Sequence, residues 1–183
     1  MAALVVAALA QCGDRTGWLA AILADRYRPA VVIVAAALAL AANYALAAAA
    51  GTVAAPILSP DAKLLLLACA LLIAAGGMPF APGRPDPLTG WRIGGFPTAG
   101  LGLFVMAFGD ATQFVAAALA ARSPVPWLAG VGATIGSLVV VAPAALLGEA
   151  GYRRLPLAGM RWGSASVLLL AGLVLGLHAL GLT

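Results

Sequence analysis

The sequence predicts an all-α integral membrane protein of six transmembrane helices, arranged as two inverted three-helix repeats. Three observations lead to this fold. Of the 183 residues, 64% are hydrophobic and only 9% are charged, whereas soluble domains carry about 25% charged residues. The apolar residues form six runs, each about as long as a hydrocarbon core ~30 Å thick requires. A polar motif in the first half also recurs in the second half.

The six runs follow one another with short connections, except in the middle of the chain. There, residues 79–97 are rich in proline and glycine and are predicted to form a cytoplasmic linker between the repeats, residues 1–78 and 98–183. No Lys or Arg precedes the first run, so we expect it to be a retained helix and not a cleaved signal peptide. The runs cover residues 2–24, 30–55, 62–78, 98–121, 125–147 and 162–182.

Basic residues are concentrated in the first, third and fifth connections, and only Lys63 and Arg122 lie in the others. Because cytoplasmic loops carry an excess of Lys and Arg, the odd-numbered connections are expected to be cytoplasmic and both termini outside. The abundance of Ala, Gly and Arg favours a bacterial origin, and hence the inner membrane. The basic residues of the odd-numbered connections are Arg26, Arg28, Arg84, Arg92, Arg153, Arg154 and Arg161.

The two halves share a short motif at a constant offset. Gly-Asp-Arg-Thr at residues 13–16 reappears as Gly-Asp-Ala-Thr at residues 109–112, 96 positions later, and Arg26 aligns with Arg122 at the same offset. Three helices per half is an odd number, so the second half must enter the membrane in the opposite orientation. Inverted repeats of this kind are typical of secondary transporters.

The repeated aspartates, Asp14 and Asp110, lie near the middle of their runs and therefore near the bilayer midplane. A carboxylate costs several kcal/mol there, so such acids usually face a bundle interior or an ion pathway. Thr16 and Thr112 follow at the same spacing and add hydroxyl oxygens. Carboxylates, hydroxyls and freed carbonyls suit Ca²⁺, Mn²⁺ or Mg²⁺. The alternative is that Asp14 pairs only with Arg15 or with helix backbone, and a second acid at a symmetry-related position makes this alternative weaker.

Other polar residues have simpler expected roles. Asn43 is expected to form an interhelical hydrogen bond, and Gln113, next to the second motif, to line the pathway. Glu149 is expected to pair at the surface with Arg153 or Arg154. The sequence has no nucleophile–base set or phosphate loop, and no basic stripe for nucleic acid. We therefore expect no enzyme, no cofactor and no nucleic-acid partner; the bilayer and a transported ion are the expected partners, and the oligomeric state stays open.

The motifs at residues 11–16 and 107–113 resemble the two signature motifs of the Gdt-type cation–proton exchangers, a family that includes Golgi and chloroplast manganese/calcium transporters and bacterial manganese exporters. The family pattern is Glu, apolar, Gly, Asp, Lys or Arg, Ser or Thr, once in each half. The resemblance implies Mn²⁺ or Ca²⁺ exchange for protons by alternating access. The residues expected to bind the metal are Asp14, Asp110, Gln11, Thr16, Thr112 and Gln113.

The chain departs from this family pattern at three positions. Gln11 and Ala107 replace the two motif glutamates, and Ala111 replaces the second basic residue. Gln11 still offers a carbonyl oxygen, but it cannot exchange a proton. Two alternatives therefore stand beside the exchanger: a membrane protein that has lost transport and acts as a structural or regulatory partner, and a transporter of a monovalent cation or a small neutral solute.

Overall fold

A computed structural model describes residues 1–80 and 83–182, and within these ranges the protein consists of α-helices with no strand. Residues 81 and 82 of the predicted linker and the last residue of the second predicted repeat lie outside the described residues. The helices are α1 Ala2–Ala10, α2 Arg15–Arg26, α3 Pro29–Ala54, α4 Pro60–Gly77, α5 Gly95–Ala107, α6 Ala111–Arg122, α7 Pro126–Tyr152 and α8 Leu157–Ala179.

The first and fourth apolar runs are broken helices, not continuous ones. The first run forms α1 and α2, and the fourth forms α5 and α6, with an angle of 71° between the latter two. Among the described residues, four helices (α3, α4, α7 and α8) are long and apolar enough to cross a membrane, and the bent α5–α6 pair makes a fifth candidate. The α1–α2 pair, which carries Arg15, Asp25 and Arg26, is not among these candidates, so the sixth span stays a prediction.

The starts of the long helices follow from local sequence. Pro29, Pro60 and Pro126 each occupy the first turn of α3, α4 and α7, where a missing N–H costs nothing and a fixed φ favours the helix. Ser59 caps α4 by accepting a hydrogen bond from the N–H of Ala62 at 3.2 Å. Helix α4, which corresponds to the third apolar run, therefore has a defined start, as the sequence predicts.

The two halves are interleaved. The long helices α3 and α7 pack against each other, and each also packs against the broken span of the other half: α3 against α5 and α6, and α7 against α1 and α2. These contacts are close because they involve glycine. A Cβ on Gly51 of α3 would collide with the backbone of Ala117 in α6, and one on Gly136 of α7 with the backbone of Leu4 in α1.

The odd-numbered connections meet at one end of the bundle. Arg84 Nε and Nη2 donate to the two carboxylate oxygens of Glu149 at 2.9 and 2.8 Å. The expected partner of Glu149 was Arg153 or Arg154, which is wrong: the third connection folds back over the end of α7 and supplies Arg84. Asp25 Oδ2 accepts from the N–H of Glu149 at 3.0 Å, and Arg26 donates to the carbonyl of Leu88 at 3.1 Å.

Candidate functional site

Both broken spans are interrupted by the same backbone conformation. Gly13 and Gly109 have φ angles of 75° and 76°, in the left-handed region that glycine enters without steric cost. The next residue, Asp14 or Asp110, is extended and is the N-cap of the following half-helix. The repeated Gly-Asp pair therefore ends one half-helix and begins the next at both places.

Each aspartate caps its half-helix with its side chain. Asp14 Oδ2 accepts hydrogen bonds from the N–H of Thr16 at 3.1 Å and from the Thr16 hydroxyl at 2.9 Å. Asp110 Oδ1 accepts from the N–H of Thr112 at 2.9 Å. Helix N-termini carry partial positive charge, which stabilises a carboxylate in the bundle. The other oxygen of each carboxylate takes no part in the cap.

Asp14 and Asp110 line one cavity of about 290 Å³. Both residues are partly exposed. The apolar wall of the cavity comes from the end of α1, the end of α4 and Phe80. The polar residues that line it are Cys12, Asp14, Arg15, Asp110, Thr112 and Arg161.

The predicted site residues divide into two groups. Asp14, Asp110 and Thr112 line the cavity, whereas Gln11, Thr16 and Gln113 do not. Thr16 is fully buried and holds Asp14 through its hydroxyl. The carboxylates are therefore brought together as the sequence predicts, and the polar side chains around them have different surroundings.

Gln11 belongs to a buried network between α1, α3 and α7. Its Nε2 donates to the hydroxyl of Tyr44 at 3.3 Å, and that hydroxyl lies 2.7 Å from Oγ of Ser137. Gln11 is fully buried, and its Oε1 has no hydrogen-bond partner among the described residues. A buried oxygen without a hydrogen-bond partner lowers the stability of the folded protein. Gln11 therefore keeps an acceptor that is costly and unused among the described residues.

Gln113 and Asn43 join the second break to α3. Oε1 of Gln113 accepts from the N–H of Gly109 at 2.7 Å, and its Nε2 donates to the carbonyl of Asn43 at 3.1 Å. Asn43 Nδ2 donates to the carbonyl of Phe104 at 3.0 Å, near the end of α5. The expected interhelical role of Asn43 is confirmed.

Sequence reasoning missed Arg161, which it assigned to the fifth connection. The residue lies inside α8 and lines the cavity with the two aspartates. Its place in the sequence contained a signal: apolar residues and Gly159 separate it from Arg153 and Arg154, and Trp162 follows it. An arginine so placed belongs to the apolar run and should have been weighed as an intramembrane charge.

The cavity offers only a few potential metal ligands, and they are hard oxygen donors. Among the described residues, no group of three or more His, Cys, Asp or Glu side chains could hold a metal ion. Two carboxylates and a threonine hydroxyl match the oxygen ligands that Ca²⁺, Mg²⁺ and Mn²⁺ accept. So small a charged set favours weak, reversible binding over a structural metal site, since affinity for such ions rises with the number of charged ligands.

Comparisons with known proteins agree with this chemistry. A model of the family described as "Divalent cation/proton antiporter GDT1" matches residues 1–85 and 95–182. The chain is also similar to a protein of Vibrio cholerae serotype O1 (strain ATCC 39541 / Classical Ogawa 395 / O395) named "Putative manganese exporter". The two are 36% identical over 173 residues, which cover 91% of this chain and 84% of the relative. No solved structure matches the chain.

Proposed function

The chain belongs to the GDT1 family of divalent cation/proton antiporters, and from that premise we propose that it exchanges Mn²⁺ or Ca²⁺ for protons at a site built on Asp14 and Asp110. The family makes it a divalent-cation transporter of the membrane and not an enzyme. The observation that carries the proposed site is the convergence of both carboxylates on one cavity, each at the start of a half-helix.

In the proposed site, Asp14, Asp110 and the hydroxyl of Thr112 contact the cation directly, because these three line the cavity. Thr16 holds Asp14 in place through its hydrogen bond. Gln113 holds the second break, and it reaches the cation only if it gives up its bond to Gly109. Gln11 does not line the cavity, so its unpartnered Oε1 reaches the cation only after a rearrangement of the first break. Waters complete the coordination, as they do for hard cations in proteins.

The proposed mechanism is alternating access between two inverted three-helix repeats, residues 1–78 and 98–183, joined by the linker 79–97. Interleaved packing supports this: each long helix lies against the broken span of the other half. The equal φ angles at Gly13 and Gly109 support it too, since related segments then have related conformations. Rocking of one half against the other would expose the midplane cavity to each side in turn.

Six spans with both termini outside are part of the proposal, in a bacterial inner membrane. The meeting of Asp25, Arg84 and Glu149 at one end of the bundle supports a common side for the odd-numbered connections. The basic residues of those connections make that side cytoplasmic. A sixth span requires that α1 and α2 together cross the bilayer, as we propose for the bent pair α5 and α6.

Proton coupling in this chain must use the aspartates. The family glutamates are replaced by Gln11 and Ala107, and neither residue can carry a proton. Asp14 or Asp110 would therefore release a proton when the cation binds and take one up when it leaves. Cation and proton then compete for the same oxygens and cannot occupy the site together. This competition is the simplest way to couple their movement in opposite directions.

The test is uptake of Mn²⁺ and Ca²⁺ by everted membrane vesicles under an imposed pH gradient. Asp14→Asn and Asp110→Asn are compared with Asp61→Asn, a matched control because Asp61 is exposed at the start of α4. We expect uptake in the unchanged protein and in the control, and none in the two site variants. Dissipation of the pH gradient by added cation would support exchange. No uptake by inserted, folded protein would contradict the proposal.

A second candidate has a specific observation in its favour. Arg15 and Arg161 line the cavity beside Asp14 and Asp110, so its formal charge is balanced before any cation enters. A balanced cavity suits a monovalent cation or a small neutral solute better than a divalent one. Competition of Mn²⁺ uptake by a panel of monovalent ions and neutral solutes separates the two candidates.

A further inference from the structure

Arg161 is a charged residue of the cavity that no transport motif contains. It lies in α8, outside both repeated motifs, and lines the cavity with Asp14 and Asp110. Its Nε is buried and has no hydrogen-bond partner among the described residues. A buried charge is costly unless an opposite charge compensates it, and the carboxylates that line the same cavity are those of the two aspartates.

The backbone of the first break holds Arg161 in place. A Cβ on Gly13 would lie 2.7 Å from Cγ and 3.1 Å from Cδ of Arg161, so the aliphatic part of the arginine packs directly on the glycine. Gly109, at the second break, has no described atom within 4 Å of the equivalent position. Arg161 therefore packs against the first break and not against the second, so the two breaks have different surroundings in the cavity.

The guanidinium of Arg161 has no close ion-pair partner among the described residues. Arg84 and Glu149 show what a fixed pair looks like in this protein, with two hydrogen bonds of 2.9 and 2.8 Å. The described residues make no salt bridge of this kind with Arg161. A cation that enters the cavity therefore has no bidentate contact of Arg161 to break.

We propose that Arg161 is the internal counter-ion of Asp14, and that the transported cation must compete with it for this carboxylate. The inference rests on the proposed function for the identity of the competing cation. In the empty cavity, Arg161 offsets the negative charge of Asp14, which follows the glycine on which the arginine packs. When a divalent cation binds, the guanidinium shifts away along Gly13. Arg161 thereby sets the affinity of the site without being a ligand.

The test measures thermal unfolding of the purified full chain in detergent micelles, across a series of Mn²⁺ concentrations. Arg161→Met keeps the length of the side chain and removes its charge, and Arg161→Lys keeps the charge. Arg154→Met is the matched control, because Arg154 is exposed beyond the end of α7. Arg161→Met is also combined with Asp14→Asn, which removes the charge that would lose its counter-ion while asparagine can still cap α2.

Without cation, we expect Arg161→Met to lower Tm, and Asp14→Asn to restore part of that loss in the double variant, which also covers the case in which the single variant does not fold. With Mn²⁺, half-maximal stabilisation of Arg161→Met should need at least about tenfold less cation than the unchanged protein, as removal of a neighbouring opposite charge implies. Arg161→Lys and Arg154→Met should stay close to the unchanged protein.

Independent effects of Arg161→Met and Asp14→Asn on Tm would overturn the counter-ion assignment, whatever Mn²⁺ does. Equal Mn²⁺ sensitivity of Arg161→Met and the unchanged protein would overturn the competition. Coupled effects on Tm, with no response to Mn²⁺ or Ca²⁺ in any variant, would support the counter-ion assignment and contradict the proposed function. The two failures are therefore distinguishable.

Discussion

The side-chain amide of Gln113 donates hydrogen bonds to two oxygens of Asn43, the backbone carbonyl at 3.1 Å and Oδ1 at 3.4 Å. The next residue along α3, Tyr44, contacts Gln11 at the first break through its hydroxyl. Two neighbouring residues of one long helix therefore hold both interruptions of the broken spans. Motion of α3 relative to either break would change the shape of the cavity between them.

Gln113→Leu should destabilise the protein by about 1–3 kcal/mol, because the N–H of Gly109 loses its partner and the carbonyl of Asn43 loses one of the hydrogen bonds that it accepts. Denaturant unfolding in micelles measures this loss. Ser166→Ala is the control, since the Ser166 hydroxyl is exposed and bonds only its own helix. Equal stability of the two variants would show that water replaces the Gln113 bonds.

Gln11→Glu should restore a titratable carboxyl at the first motif. We expect tighter Mn²⁺ binding by about tenfold and a stronger rise of affinity with pH, because the carboxyl must lose its proton to bind the cation. Gln11→Met, which removes the unpartnered Oε1 and adds no charge, should not change the pH dependence. Mn²⁺ uptake over a pH series measures both effects. An unchanged affinity in Gln11→Glu would indicate that position 11 does not reach the cation.

Asp110→Asn and Asp110→Ala should separate the two roles of this residue. Asparagine can still cap α6, whereas alanine cannot, so the alanine variant should be less stable by about 1 kcal/mol. Neither variant should transport cations, because both lack the carboxylate. Stability and vesicle uptake are measured on the same preparations. Transport by the asparagine variant would show that Asp110 serves only as a cap.

Gly136→Ala and Gly51→Ala should each cost about 1–3 kcal/mol, because the added methyl group meets the backbone of Leu4 or Ala117. Gly100→Ala is the matched control in α5, where the methyl group would meet no described atom within 4 Å. That control should be slightly stabilised, since alanine favours a helix over glycine. Unfolding midpoints give the comparison, and equal effects at all three positions would contradict the close packing of the halves.

Single cysteines test the six-span topology, in a background that lacks Cys12 and Cys69. Lys63→Cys and Arg122→Cys should react with an impermeant thiol reagent added outside intact cells, whereas Arg28→Cys and Arg92→Cys should react only after permeabilisation. Tags at both termini should be accessible from outside. Five spans would put the termini on opposite sides, so labelling of only one terminus would contradict the proposal.

Much of the candidate site could be predicted from one sequence. Asp14 and Asp110 stand out because carboxylates within a membrane are costly. Both have the same spacing to a glycine and a threonine, which indicates that the two acids share a role. The interhelical bond of Asn43 was predictable on the same ground, since a buried amide in an apolar run needs a partner from another helix. The family followed from the repeated motif, and the comparisons confirm it.

Other features depend on contacts between distant parts of the chain. Glu149 was expected to pair with neighbouring arginines, but Arg84 reaches it from a linker with no periodic pattern to locate it. Arg161 was assigned to a loop because basic residues near span ends usually lie there. The breaks at Gly13 and Gly109 were hidden as well, because the apolar runs continue through them.

The sequence by itself determined that this is a membrane protein, that it is helical, and that two aspartates lie within its apolar runs. These depend on composition and spacing, which act locally and can be read along the chain. The tertiary structure alone decided which charges share the cavity with those acids, which oxygens stay unpartnered, and which helix holds both breaks. These depend on contacts between residues far apart in the chain, such as Arg161 with Gly13 and Gln113 with Asn43. Such contacts cannot be predicted from the hydropathy of each segment.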